Sequence, residues 1–173
     1  MTVVRSTSVI FFYLFSVEIA IAQGNSVKCL PVSSTSTAQT LRCDGGITII
    51  AENGAHYTLN DTNGDGRVDS VELGSQAVLL EVPKVPGGRR FTVTTPQAIA
   101  AVRGTKWAVD TAGQKTSVFV VNGRVFVGRR PPADKQSVIL RPGEGVDVEQ
   151  TGPLIVKRWA PARVGALMAR LGQ

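Results

Sequence analysis

Histidine is almost missing from this chain: among 173 residues there is only His56, beside a predicted turn. General acid–base and nucleophilic catalysis usually need a positioned base, and the sequence offers little from which to build one. An acid pair within Asp61–Glu72 is the single arrangement that resembles a carboxylate hydrolase, and nothing else points to a sugar site. The chain is therefore read as a non-enzyme. Cysteine is equally scarce. Cys29 and Cys43 stand alone, with no CxxC spacing and no second histidine, so a metal or catalytic thiol pair has no support. There is no internal repeat of fixed length, and only one long apolar run.

That run is at the start. Arg5 precedes Val9–Ala22 (VIFFYLFSVEIAIA), which is interrupted by Glu18 and ends in Ala20-Ile21-Ala22. A basic residue, an apolar stretch and a small-x-small end are the parts of a secretory signal, with cleavage expected before Gln23. The competing reading is a membrane anchor, but a spanning helix needs about 20 apolar residues. No later segment could span a bilayer, so the mature chain is expected to be periplasmic or secreted, with no transmembrane helix. Export places Cys29 and Cys43 in an oxidising compartment and makes them a disulfide. It would close a Ser/Thr-rich loop (PVSSTSTAQT) without a strong pattern of its own, contributing about 3 kcal/mol.

Charge is unevenly spread. Residues 23–82 hold three basic residues against seven acids (net −4), and residues 83–173 hold fifteen against five (net +10). Such a basic half suits an unknown envelope protein with an acidic face, or an anionic polymer. Export argues against nucleic acid. The plainer account is that most of these arginines solvate the outer faces of strands.

Eighteen glycines and nine prolines fit a fold with frequent turns. Strands are expected at Ile47–Ala51, His56–Leu59, Val71–Val82 (one or two, around Gly74), Arg90–Thr94, Ala98–Asp110, Val138–Leu140, Val146–Val148 and Leu154–Trp159. Two more lie within residues 115–128. Asn53-Gly54 predicts a hairpin in which His56–Leu59 answers Ile47–Ala51. Asn122-Gly123 predicts either a hairpin or a sharp corner. Only the end of the chain reads as a helix: Pro161 opens it, and Val164, Leu167, Met168 and Leu171 form an apolar stripe. The expected fold is all-β, a compact solenoid-like or sandwich stack of short strands with a short C-terminal helix. Its parts are the signal (1–22), a disulfide-closed segment (23–46), a β domain (47–160) and the helix (161–173).

One motif carries sharp chemistry. Residues 61–72 (DTNGDGRVDSVE) fit the calcium-loop pattern D-x-[DN]-x-[DN]-G-x5-E. Asp61, Asn63 and Asp65 would supply side-chain oxygens, Arg67 its carbonyl, Asp69 a water-mediated contact and Glu72 both carboxylate oxygens. Four carboxylates within twelve residues repel one another, and a dication relieves this. The flanks are β-like, which excludes a true EF-hand. What remains is a calcium loop of structural role between strands, or an Asn/Asp/Gly turn bonded to its own backbone.

A further set of residues occurs in a recognisable order. Phe91–Pro96 (FTVTTP) is followed by Ala98–Thr105 (AIAAVRGT), by Trp107 and Val109, by Val118–Val127 (VFVVNGRVFV), and by Val138–Glu144 (VILRPGE). Together these resemble the FecR domain family, with a core match over about residues 85–150. The residues before 85 stand outside it. Thr95, Pro96, Val102, Arg103, Gly104, Thr105, Gly123 and Gly143 fall on the family's motif positions. Gly104 and Gly123 are expected at tight turns, and Arg103 as a structural arginine that satisfies carbonyls at a corner, with ligand contact as the lesser alternative. The resemblance implies a solenoid-like all-β stack in the bacterial periplasm. Members are often sensors that relay a signal from a TonB-dependent transporter, through a membrane helix, to a cytoplasmic sigma factor. This sequence lacks the anti-sigma segment, so the expectation is a binding module of envelope signalling. The alternatives are a membrane-anchored sensor of a sigma-factor pathway and a calcium-stabilised structural envelope protein.

Overall fold

The alternation of apolar and polar side chains along residues 38–148 is what a two-layered β structure requires, and the fold follows it. The computed structural model describes residues 27–85, 90–131 and 136–173. The expected signal over residues 1–22, with its cleavage point before Gln23, lies outside these described residues. The chain runs through β1 (Cys29–Ser34), β2 (Ala38–Cys43), β3 (Ile47–Glu52), β4 (His56–Asn60) and β5 (Ser70–Val82). It continues through β6 (Phe91–Thr94), β7 (Ala98–Val102), β8 (Thr105–Ala112), β9 (Lys115–Asn122) and β10 (Val125–Arg129). Then come β11 (Ser137–Leu140), β12 (Glu144–Val148), β13 (Lys157–Arg158) and α1 (Pro161–Arg170). The all-β fold with one short C-terminal helix is as expected.

The strands form one curled sheet whose two layers face each other across the core. The first layer is antiparallel, in the order β1-β2-β3-β5-β8-β9-β12-β13. The second is β4-β5-β6-β7-β10-β11, in which only β5 and β6 run parallel. β5 belongs to both: Ser70–Ser75 pair with β4, and Gln76–Val82 with β8. It is thus a single strand that changes partners. A bulge opposite His56/Tyr57 and the left-handed backbone of Gln76 (φ 66°) supply the bend.

This long strand corrects one expectation. β3 and β4 do not pair with each other; each runs antiparallel to β5, β3 along Val78–Glu81 and β4 along Ser70–Ser75. Asn53-Gly54 is therefore a corner between layers and not a hairpin turn, because a thirteen-residue strand offers both segments a longer edge than they could offer each other. Asn122-Gly123 resolves the same way, with β9 in the first layer and β10 in the second. Gly123 (φ 91°) stacks on the neighbouring corner so tightly that a Cβ there would lie 2.8 Å from the Gly104 carbonyl oxygen.

Inward residues of the first layer (Ile49, Leu80, Trp107, Val109, Val118) meet those of the second (Leu73, Val93, Val102, Val125, Leu140) in one core. Each such side chain contributes about 1.5–3 kcal/mol on burial. Trp107 is fully buried, edge-on to Phe91 at 6.1 Å. The outer face of the first layer is also covered. Leu79, Ala108 and Phe119 pack beneath Trp159, Leu167 and Leu171, so α1 lies on the face of this layer. Burial on both sides explains the unbroken apolar runs Ala77–Leu80 and Val118–Val120, which alternation alone would not produce.

Two further expectations change. The Ser/Thr-rich segment after Cys29 is a hairpin, β1–β2, and β2 pairs onward with β3. Threonine is a good strand former, and Leu41 and Cys43 turn one face of β2 into the core, while Ala38 is buried on the other face. The last strand is only Lys157–Arg158. Ile155 and Val156 remain exposed, and Trp159 turns onto Phe119 with stacked rings 5.0 Å apart.

Candidate functional site

The acidic loop lies between β4 and β5, closed where the Asp69 N–H donates to the Asn60 carbonyl (3.0 Å). Asp61 is its hub. Its Oδ1 accepts N–H bonds from Asn63, Gly64 and Asp65 (3.2, 2.8 and 3.2 Å), and its Oδ2 accepts one from Gly66 (2.6 Å). Desolvation pushes the Asp61 carboxyl up; the four N–H donors, Gly66 and Gly64 foremost, outweigh it and hold the group below its ordinary range. Asn63 Oδ1 accepts the Asp65 N–H (2.9 Å), and Asp65 Oδ1 accepts the Arg67 N–H (2.9 Å). Val68 is buried and pins the loop to the core.

These contacts bring Asp61, Asn63 and Asp65 together, but not the other two acids. Both oxygens of Asp69 accept from Thr62, through its N–H (3.1 and 3.2 Å) and its hydroxyl (2.5 Å to Oδ2). Glu72 sits in β5 opposite Thr58, exposed. The reason is local. In a helical exit the last ligand swings back over the loop, whereas β5 begins at Ser70 and carries Glu72 away along an extended chain. Among the described residues no group of three or more His, Cys, Asp or Glu side chains gathers as metal ligands would.

The residues of the family motif are scaffold, with one exception. Thr95-Pro96 opens the β6–β7 turn: Thr95 N–H donates to the Ala98 carbonyl (2.9 Å), and its buried hydroxyl accepts the Ala98 N–H (2.8 Å) and meets Thr116 Oγ1 at 2.8 Å. Thr116 in turn donates to Gln97 Oε1 (2.9 Å). Thr105 Oγ1 donates to the Arg124 carbonyl (3.2 Å), tying two corners together. Gly143 N–H donates to the Val120 carbonyl (2.9 Å). Val102 is core. Arg103 is the exception and a correction: it is exposed, and no hydrogen bond or ion pair of its guanidinium is found among the described residues.

The carbonyl-satisfying arginine is Arg129. Buried at the end of β10, it donates from Nε to the Glu149 carbonyl (2.8 Å) and from Nη2 to that of Gly152 (2.6 Å). Its signal was present in the sequence, since Val125, Val127 and Arg129 share the inward face of one strand. Two more arginines hold α1. Arg170 bridges Glu52 of β3 and Asp110 of β8, and Arg163 lies 3.6 Å over the Trp159 ring while bonding Asp147. The solvated-face account of the basic half therefore fails for all three.

A family model described as FecR protein matches residues 32–126. That stretch begins inside β1 and ends in β10. It takes in the acidic loop and Cys43, which were expected to stand outside, and leaves out Val138–Glu144, which was expected within. Two solved structures of a candidate anti-sigma factor from Parabacteroides distasonis ATCC 8503 share the fold, with TM-scores of 0.61 and 0.60 at 21% and 20% identity. Each alignment covers 82% of this chain and 64% of the other, so the chain spans under two thirds of those proteins' length. No curated protein matches. With more than half of its residues inside the family match, the chain belongs to the FecR family.

Proposed function

We propose that this protein is an exported, non-enzymatic FecR-type module that binds a partner in the cell envelope and acts in signalling. The observation that carries this reading is the Cys29–Cys43 disulfide across the first hairpin of a FecR fold. A disulfide of this kind persists in an oxidising compartment and is rare in a cytosol. Among the described residues no helix is long and apolar enough to cross a membrane. The non-enzymatic part is supported by the site: His56 is exposed at the start of β4, with no side-chain hydrogen bond among the described residues. The signalling part is supported by the family and by the likeness to candidate anti-sigma factors. The basic half directs the search for a partner toward acidic envelope proteins and anionic polymers.

Intact mass spectrometry of fractionated cells, after thiol alkylation, tests the location. A chain starting at Gln23 with both cysteines unalkylated is expected. A full-length chain in the membrane would favour the anchored-sensor alternative, and a reduced cytosolic chain would end the proposal. Deleting the protein should alter transcription of an envelope-response regulon; an unchanged profile removes the signalling role.

Calcium enters this reading at Asp61, Asn63 and Asp65 with the Arg67 carbonyl, without Asp69 and Glu72. Three side chains already oriented by loop N–H groups support it. Its role would be structural, raising the melting temperature by mass action. The same melting curve with calcium and with chelator sinks it.

A further inference from the structure

The acidic loop and the Val102–Gly104 corner border one open cavity of about 300 Å³, at the end of the sandwich where β5 exits into Pro83. Three arginines line it: Arg67 from the loop, Arg90 before β6, and Arg103 from the corner. All three are exposed, and no hydrogen bond or ion pair is found for any of these groups among the described residues. This is unlike Arg129, Arg163 and Arg170, whose forks are filled by protein acceptors. The cavity also contains Asp44, Asp65 and Asp69. Two of these are already committed: Asp65 accepts from Arg67 N–H and the Asn63 amide, and Asp69 from Thr62. Asp44 stays open in the same cavity, so three carboxylates balance the three arginines. Among the described residues, however, no hydrogen bond or ion pair fills the arginine forks, and a guanidinium fork is matched by a carboxylate or phosphate. Beneath them lies an apolar floor of Ile47, Val68 and Phe91. Small-molecule sites combine an apolar wall with a few convergent polar groups at about this volume.

We infer that this cavity binds a small organic anion, its carboxylate or phosphate held by Arg67, Arg90 and Arg103 and its apolar body on Ile47, Val68 and Phe91. The inference stands on the geometry of the cavity and does not depend on the proposed role in signalling. It also gives the exposed Arg103 of the family motif a task that a carbonyl-capping role does not.

Phenyl phosphate and inorganic phosphate serve as probes, titrated into the disulfide-bonded mature protein and followed by calorimetry and amide NMR shifts. Phenyl phosphate should bind saturably, shifting resonances of residues 67–69, 90–91 and 103. Arg103→Gln and Arg90→Gln should each weaken it at least about tenfold, the loss of one charge-assisted fork, with unchanged melting temperatures. Arg124→Gln removes an exposed charge outside the cavity and should leave the affinity within about twofold, since a diffuse effect is screened by salt. No saturation by about 10 mM, weaker than millimolar affinity, overturns the inference. So does an equal loss in Arg124→Gln, which would make the effect one of net charge. Equal affinity for inorganic phosphate would remove the apolar floor, and with it the assignment to an organic anion.

Discussion

Replacing Arg170 by alanine tests how the helix is held. Its Nε donates to Glu52 Oε1 (2.9 Å) and Nη2 to Glu52 Oε2 (2.6 Å), while Nη1 and Nη2 donate to the two Asp110 oxygens (2.8 and 3.0 Å). The Glu52 bond, then that of Asp110, holds the guanidinium still further above its ordinary pKa, so it keeps its charge at any working pH. Its value lies between two limits. An exposed pair contributes about 0–1 kcal/mol, and breaking a buried one costs about 3–5 kcal/mol. The arginine side chain is 38% exposed, but the carboxylates are only 15% and 18% exposed, and the variant leaves both without their cation. A loss of about 2–3 kcal/mol follows, discounted from the buried limit for solvent screening. Equilibrium urea unfolding, read by the fluorescence of Trp107 and Trp159, should show the midpoint falling by about 1 M with an unchanged slope. Thermal melting should fall by about 5–10 °C. Arg170→Lys keeps the charge but not the fork and should recover only part of the loss. A loss below about 0.5 kcal/mol in Arg170→Ala would refute the reasoning, because the clamp would then be worth no more than a surface pair.

Three other outcomes are expected. Gly104→Ala should cost about 3 kcal/mol, since φ is 70° and the new Cβ would come 2.8 Å from the Lys84 Cα; a wild-type melting curve would contradict the corner geometry. Replacing Cys29 and Cys43 together by serine should cost about 3 kcal/mol for a separation of 14 residues, read as the difference in urea stability from the oxidised protein. For Asp147, partial burial pushes the carboxyl up, but hydrogen bonds from Arg163 and Ser117 and the Arg163 and Lys115 charges outweigh it and hold the group low. A folded pKa below the unfolded one, about 4, means its stabilisation is complete above that pH and fades as pH falls below it. Between about pH 4 and pH 2 the native protein should therefore lose more stability than Asp147→Asn; parallel curves would count against the pairing.

Much of the fold was legible because strand signals are local. The alternation that places Phe91, Val93, Ala98, Ala100 and Val102 inward needs only one buried face, and the structure supplies it. The stripe of Val164, Leu167, Met168 and Leu171 specified the helix in the same way. Partner choice was not legible. Asn53-Gly54 has the chemistry of a hairpin turn and of a corner alike, and only the length of β5 separates the two. Glu72 fits the calcium pattern by number along the chain, but extended backbone moves it away from Asp61.

Local patterning was enough to specify the elements: which residues turn inward, where glycine must permit a left-handed backbone, and that two cysteines stand ready to pair. These depend on neighbours a few residues away. Long-range packing set which layer each strand joins, which arginines are used, and what the acidic loop faces. Arg103, Arg129 and Arg170 carry the same side chain, yet one opens onto a cavity, one ties carbonyls and one clamps a helix. That difference is set by acceptors 20 to 118 residues away in the chain, which local patterning cannot register.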